Sequence, residues 1–160
     1  MMKTVYIALG SNLNQPKTQL NVALQALDAL PNSQVNAVSS FYQSKPLGPQ
    51  DQPDYVNAVA CLHTELEPLT LLDALQQIEK EQGRVRLRRW GERTLDLDLL
   101  LYEDLQLHSE RLTLPHYDMK NREFVIVPLH EIAANLRLPS GEKVADLVRQ
   151  FSDHQMQILR

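Results

Sequence analysis

The sequence predicts an α+β chain in which helices pack on a mostly antiparallel sheet. Runs rich in β-branched, aromatic and aliphatic residues near 4–9, 34–44, 55–64 and 93–102 read as strands. Two amphipathic patterns, near 16–30 and 68–82, read as helices. The resulting order, β-α-β-β-α-β with a C-terminal extension, makes each helix a crossover and gives the ferredoxin-like arrangement. At 160 residues and 43% hydrophobic content, the chain supports one core, hence a single domain over 1–160.

The elements follow in order. "TVYIAL" (4–9) is a strand ending at Gly10. Asn14 is placed to cap a helix that has Pro16 in its first turn. Leu20, Ala23, Leu24, Leu27 and Leu30 form its apolar face, and Pro31 stops it. Residues 34–44 read as one strand. "KPLGPQDQPDY" (45–55), with three prolines, one glycine and two aspartates, is a loop. "YVNAVACLHT" (55–64) is the next strand. A second helix begins near Pro68, carries Leu71, Leu72, Leu75 and Ile78 on one face, and stops at Gly83. Beyond the strand at 93–102, the sequence predicts a short hairpin (105–107 with 111–114) and a loop over 115–122. A brief helix near 128–134 and a last amphipathic helix near 142–151 complete the chain.

Net charge −4 argues against nucleic acid or an anionic membrane as partner. The single cysteine, Cys61, excludes an internal disulfide and fits a reducing compartment as a buried structural thiol. The N-terminus "MMKTVYIALGSN" has no apolar signal region, and no run approaches membrane-spanning length, so the expectation is a cytoplasmic protein.

The chemistry concentrates in "RTLDLDLLLY" (93–102). In a strand, Asp96 and Asp98 project from one face, about 6.6 Å apart along the chain, while Leu95, Leu97 and Leu99 take the other. Two carboxylates so close repel unless a cation joins them. Mg²⁺ is held by one or two carboxylates with water and phosphate oxygens, and paired carboxylates also bridge two ions for attack at phosphorus. Just upstream, "RVRLRRWGER" holds five arginines (Arg84, Arg86, Arg88, Arg89, Arg93) against Glu92. Guanidinium forks suit phosphate. Together the pair and the arginines favour a polyphosphate–Mg²⁺ site. The competing readings are a half-exposed sheet face for the aspartates and a solvated loop for the arginines.

The other features decide less. "GSN" (10–12) is a strand-to-helix turn, and no P-loop pattern occurs. His116 could face a phosphate or cap a turn. Trp90 could serve as a stacking surface, and Tyr55 and Asn57 could face a planar heterocycle, the amide supplying donor and acceptor. The remaining histidines lack zinc-ligand spacing. A different two-metal phosphoryl- or nucleotidyl-transfer enzyme would use the same aspartates, but a nucleic-acid enzyme calls for a broader basic groove.

Taken in order, "YIALGSNL", "SSFYQSKPLGPQDQPDYVNAV", "GRVRLRRWGERTLDLDLLLY" and "LPHYDMKNREFVIVPLHEI" resemble the 6-hydroxymethyl-7,8-dihydropterin pyrophosphokinases of folate biosynthesis. The resemblance runs from residue 4 to about 135. It implies a three-layer α-β-α sandwich, usually monomeric, that moves the terminal diphosphate of ATP to the pterin hydroxymethyl group with two Mg²⁺ and releases AMP. It further implies Asp96 and Asp98 as metal ligands, with Arg84 and Arg93 also catalytic. Gln76, Glu79, Arg86, Arg89, Trp90, Arg93, His116, Tyr117 and Arg122 then match the ATP site. Ser44, Leu47, Tyr55, Asn57, Trp90 and Phe124 match the pterin pocket. Glu92 stands where the family commonly has proline.

Overall fold

The computed structural model describes residues 1–13, 15–45, 53–83 and 94–159. Its elements are β1 (Lys3–Ser11), α1 (Pro16–Asp28), β2 (Ser33–Val38), β3 (Phe41–Ser44), β4 (Tyr55–Thr64), α2 (Pro68–Glu81) and β5 (Asp96–Tyr102). They continue with β6 (Leu107–His108), β7 (Thr113–Leu114), a 3-10 turn (Met119–Asn121), α3 (Glu123–Ile132) and α4 (Val144–Leu147). A second 3-10 turn (Val148–Phe151) and β8 (Gln157–Leu159) end the chain.

The main sheet runs β5-β1-β4-β3-β8, with β2 also pairing to β4, and each of these pairings is antiparallel. On one face, α1 and α2 cover a core that includes Val5, Ile7, Leu9, Leu62, Leu71, Leu75, Leu95, Leu97 and Leu99. On the other, α3 and α4 cover Ala8, Val59, Leu100, Leu101, Val125, Ile126 and Leu129. Helices therefore flank the sheet on both sides, as the α+β sandwich requires. Each fully buried aliphatic side chain contributes about 1.5–3 kcal/mol through removal from water.

The Asp-bearing strand alternates as expected, with Leu95, Leu97 and Leu99 in the α1–α2 core. The alternation then breaks. Ile7 pairs with Leu99 and Tyr6 with Leu101, leaving Leu100 as the extra residue of a β-bulge. The bulge resets the faces, so Leu100 and Leu101 both enter the α3 core while Tyr102 returns to the other.

Several boundaries depart from the sequence reading. The strand expected over 34–44 is two strands, β2 and β3, interrupted at Ser39–Ser40. The interruption has a distant cause: Ser40 N and Oγ both donate to Glu131 Oε2 on α3, each at 2.9 Å, and Tyr42 Oη donates to Glu131 Oε1 at 2.5 Å. The helix expected near 128–134 begins at Glu123 and runs through Pro128. Burial of Val125, Ile126 and Leu129 outweighs the backbone hydrogen bond that a mid-helix proline forgoes. The helix expected over 142–151 is a four-residue α segment followed by a 3-10 turn. The hairpin forms with shorter strands. The loop over 115–122 contains a 3-10 turn, and β8 is a strand the sequence did not announce.

The helix starting at Pro16 and the helix from Pro68 form as expected. Residue Gln15, at φ 62°, occupies the cap position of α1; Asn14, expected there, lies outside the described residues. Gly83 follows α2 with a positive φ of 78°, the backbone region that glycine enters without strain. Cys61 is buried, as expected.

Candidate active site

One row of residues crosses the sheet on its α3 face. Asp96 of β5 pairs with Gly10 of β1, Gly10 with Asn57 of β4, and Asn57 with Tyr42 of β3. Two residues along, Asp98 stands opposite Ala8, which pairs with Val59. Ser44 and Tyr55, themselves paired, extend the same face beyond Tyr42 and Asn57. The carboxylate pair thus shares a face with Ser44, Tyr55 and Asn57, and the small residues of β1 separate the two groups. With strands about 4.8 Å apart, Asp96 and Asn57 lie about 10 Å apart at the backbone.

The segment after β7 and the start of α3 supply the remaining side chains. His116 donates its backbone N–H to the Leu100 carbonyl at 2.9 Å, which seats it against the bulge of β5. Its Nδ1 accepts the Asp118 N–H at 3.2 Å, so a neutral imidazole carries its hydrogen on Nε2. The His116 and Tyr117 rings stack with centroids 4.9 Å apart, and Tyr117 is 76% exposed. Arg122 Nε donates to Asp118 Oδ2 at 3.2 Å, Arg122 Nη1 stands 3.9 Å from Asp98 Oδ2, and the guanidinium lies 5.7 Å from the centre of the Phe124 ring. The structure therefore gathers Asp98, His116, Tyr117, Arg122 and Phe124 at one end of β5.

Charge and burial compete at this end. Burial holds the His116 imidazole below its ordinary value, and Arg122 acts in the same direction against Asp98 and Asp118. The Asp118 carboxyl is held low, first by the hydrogen bond from Asn121 and then by Arg122.

Gln76 and Glu79 lie elsewhere. Both belong to α2, on the opposite side of the sheet. Gln76 Oε1 accepts from Arg111 Nη2 at 3.2 Å, and the same guanidinium nitrogen reaches Asp73 at 2.6 Å. Glu79 Oε2 accepts the Leu97 N–H at 2.8 Å, so it touches the backbone between the two aspartates rather than their face.

Arg84, Arg86, Arg89, Trp90 and Arg93, together with Leu47, lie outside the described residues. Their flanks do not. Thr94 Oγ1 donates to the Gly83 carbonyl at 3.3 Å, so the chain enters and leaves the arginine-rich stretch at one point, two residues from Asp96. Ser44 and Tyr55 likewise bracket the proline-rich stretch.

Some residues at the site went unnoticed in the sequence. Asn12 is fully buried, and its Nδ2 donates to the Pro53 carbonyl at 3.0 Å, fastening the end of β1 to the approach of β4. Tyr42 and its partner Glu131 brace the far end of the row; burial, reinforced by the Glu131 hydrogen bond, raises the phenol well above its usual range. Gly10 is interior to β1 rather than its end, and a glycine inside a strand is the available signal of close approach.

Known proteins are similar to this chain in sequence and in architecture. Residues 6–134 match the family model described as 7,8-dihydro-6-hydroxymethylpterin-pyrophosphokinase (HPPK). A Haemophilus influenzae protein named 2-amino-4-hydroxy-6-hydroxymethyldihydropteridine pyrophosphokinase is 67% identical over 155 residues, 97% of either chain. A Pseudomonas aeruginosa protein of the same name is 55% identical over 148 residues, covering 92% of this chain and 91% of the relative. Among solved structures, Plasmodium falciparum HPPK-DHPS matches the fold at TM-score 0.73 and 11% identity, over 94% of this chain and 45% of that one. This chain spans less than half the length of that HPPK-DHPS chain. By its family match and the identity of its relatives, the chain belongs to the 7,8-dihydro-6-hydroxymethylpterin-pyrophosphokinase family.

Proposed function

We propose that this chain transfers the terminal diphosphate of ATP to the hydroxymethyl group of 6-hydroxymethyl-7,8-dihydropterin, releasing AMP. Family membership supports the reaction, and one geometric observation carries its assignment to a site. The row Asp96–Gly10–Asn57 sets a carboxylate pair and a buried carboxamide on one face, with a low floor between them. A heterocycle read at Asn57 can extend its arm over Gly10 toward phosphates held near Asp96 and Asp98.

The donor set fits Mg²⁺. Asp96 and Asp98 offer hard oxygen ligands from partly exposed positions, leaving room for water and phosphate oxygens around an ion. Among the described residues no group of three or more His, Cys, Asp or Glu gathers into a closed metal cage. We assign two Mg²⁺ ions to the pair; when bound, they would neutralise phosphate charge and align the attacked phosphorus.

The protein's own groups then orient and enclose. Asn57 offers a donor and an acceptor to the edge of the pterin, Phe124 a stacking face, and Ser44, Leu47, Tyr55 and Trp90 the remaining wall. His116 Nε2–H and the Arg122 guanidinium are donors for nucleotide phosphate, and Tyr117 offers an exposed ring. Glu79 supports the nucleotide site from behind the sheet, through the Leu97 N–H between the two aspartates, and Gln76 lies one turn before it on α2. Arg84 and Arg93, with Arg86 and Arg89, supply positive charge to the polyphosphate, and Trp90 helps exclude water from it. The chain acts on these small molecules as a monomer in the cytoplasm. Among the described residues, no helix is long and apolar enough to cross a membrane. Nucleotidyl transfer from the same aspartates is not favoured by the family.

The test is substitution of the pair. Asp96→Ala and Asp98→Ala should each lower AMP formation from ATP plus the hydroxymethyl-dihydropterin on the order of 10³-fold, with native circular dichroism. Near-normal turnover in either variant would contradict the assignment.

A further inference from the structure

We propose that Gly10 is a positioning residue for the pterin-reading carboxamide: its missing Cβ is the seat of Asn57 Oδ1, and this contact fixes which way the amide faces. The proposal rests on the reading of Asn57 as the group that recognises the pterin.

Glycine inside a strand is unfavourable by roughly 0.5–1 kcal/mol relative to alanine, so its presence in the middle of the sheet calls for a reason. The backbone supplies none. Gly83 and Gly141 have positive φ, at 78° and 103°, whereas Gly10 lies outside that region, in strand geometry open to any residue. Space supplies the reason. A Cβ built on Gly10 would stand 2.7 Å from Asn57 Oδ1, closer than real Cβ contacts come, with Asn57 Cγ at 3.8 Å and Tyr55 Cδ1 at 3.9 Å. The carbonyl end of the amide is therefore lodged against β1, and its NH₂ end is turned away from that strand. Any side chain at position 10 must swing the amide and narrow the floor between Asn57 and Asp96. An amide reads a heterocycle edge through the order of its donor and acceptor, so turning it exchanges one for the other.

The experiment measures affinity for 6-hydroxymethyl-7,8-dihydropterin in the presence of Mg²⁺ and a non-hydrolysable ATP analogue, and affinity for the analogue alone. Both are taken for wild type, Gly10→Ala, Asn57→Ala and the double variant. Gly10→Ala should weaken pterin binding about tenfold or more, with analogue binding within about twofold of wild type. On the Asn57→Ala background, Gly10→Ala should add less than about twofold, because the group it displaces is gone. Unchanged pterin affinity in Gly10→Ala overturns the proposal. So do equal losses for both ligands, or effects that simply multiply. If Asn57→Ala itself leaves pterin affinity unchanged, the pocket reading fails; if it weakens binding while Gly10→Ala does not, only the role of Gly10 fails. Should Gly10→Ala not fold, the double variant, which lacks the clash, is compared with Asn57→Ala. Equal affinities are expected there, and a further loss overturns the proposal.

Discussion

Arg122 joins two carboxylates that lie twenty residues apart in the chain: its Nε donates to Asp118 Oδ2 at 3.2 Å, and its Nη1 stands 3.9 Å from Asp98 Oδ2. The side chain is only 16% exposed and lies over Phe124. One planar cation thereby ties the carboxylate-bearing strand to the segment that presents His116.

Substitution of Arg122 should damage nucleotide handling more than folding. Both carboxylate partners, Asp98 and Asp118, are partly exposed, and such pairs are worth about 0–1 kcal/mol each, so stability should change only modestly. Arg122→Met should raise KM for ATP about tenfold or more. Arg122→Lys should rescue only part of it, since an ammonium cannot reproduce the fork. Steady-state kinetics with each substrate varied will measure this, and an unchanged KM for ATP would remove Arg122 from the nucleotide site.

Glu79 should act on the aspartates through the backbone. Its carboxylate accepts the Leu97 N–H at 2.8 Å, and Leu97 sits between Asp96 and Asp98 on an edge strand. Hydrogen bonds to charged groups are worth about 1.5–3 kcal/mol. Glu79→Ala should therefore lower Tm by several degrees and raise the Mg²⁺ concentration needed for half-maximal rate. Glu79→Gln keeps an acceptor and should restore most of both. If Gln is as damaging as Ala for ATP binding while Tm recovers, Glu79 contacts the nucleotide directly.

Cys61 should be inert in the folded protein. Burial pushes its thiol up, against the opposing hydrogen bonds from Tyr6 and Asn36. Because the folded value is raised, the contribution to stability is fully present below the unfolded value of about 8.5 and is lost as pH rises through the folded value. A thiol reagent at pH 8 should label native protein far more slowly than protein in denaturant. The stability advantage of wild type over Cys61→Ala should shrink above about pH 8.5. Rapid labelling of the native state would contradict this.

What the sequence disclosed depended on how local the cause was. Strand alternation in "LDLDL" placed both aspartates on one face because period two is a property of the strand itself. The bulge at Leu100 was hidden, since an unbroken apolar run looks the same with or without an extra residue. The interruption at Ser39–Ser40 depends on Glu131, some ninety residues away, and α3 persists through Pro128 because of burial against the sheet. Neither cause is local. At the site, Asn57 and Asp96 were each visible, but their relation was not, because only the pairing of β1 with both neighbours makes Gly10 their common floor. Gln76 and Glu79 match the ATP site by resemblance, and the structure sets them behind the sheet.

The decisive property is a single site that holds ATP and a pterin together and moves diphosphate between them. Its most direct test is AMP release measured with purified protein, Mg²⁺ and ATP, with and without 6-hydroxymethyl-7,8-dihydropterin. AMP should appear only with the pterin, in equal amount to the pterin diphosphate formed. AMP released without the pterin, or ADP as the nucleotide product, would contradict it.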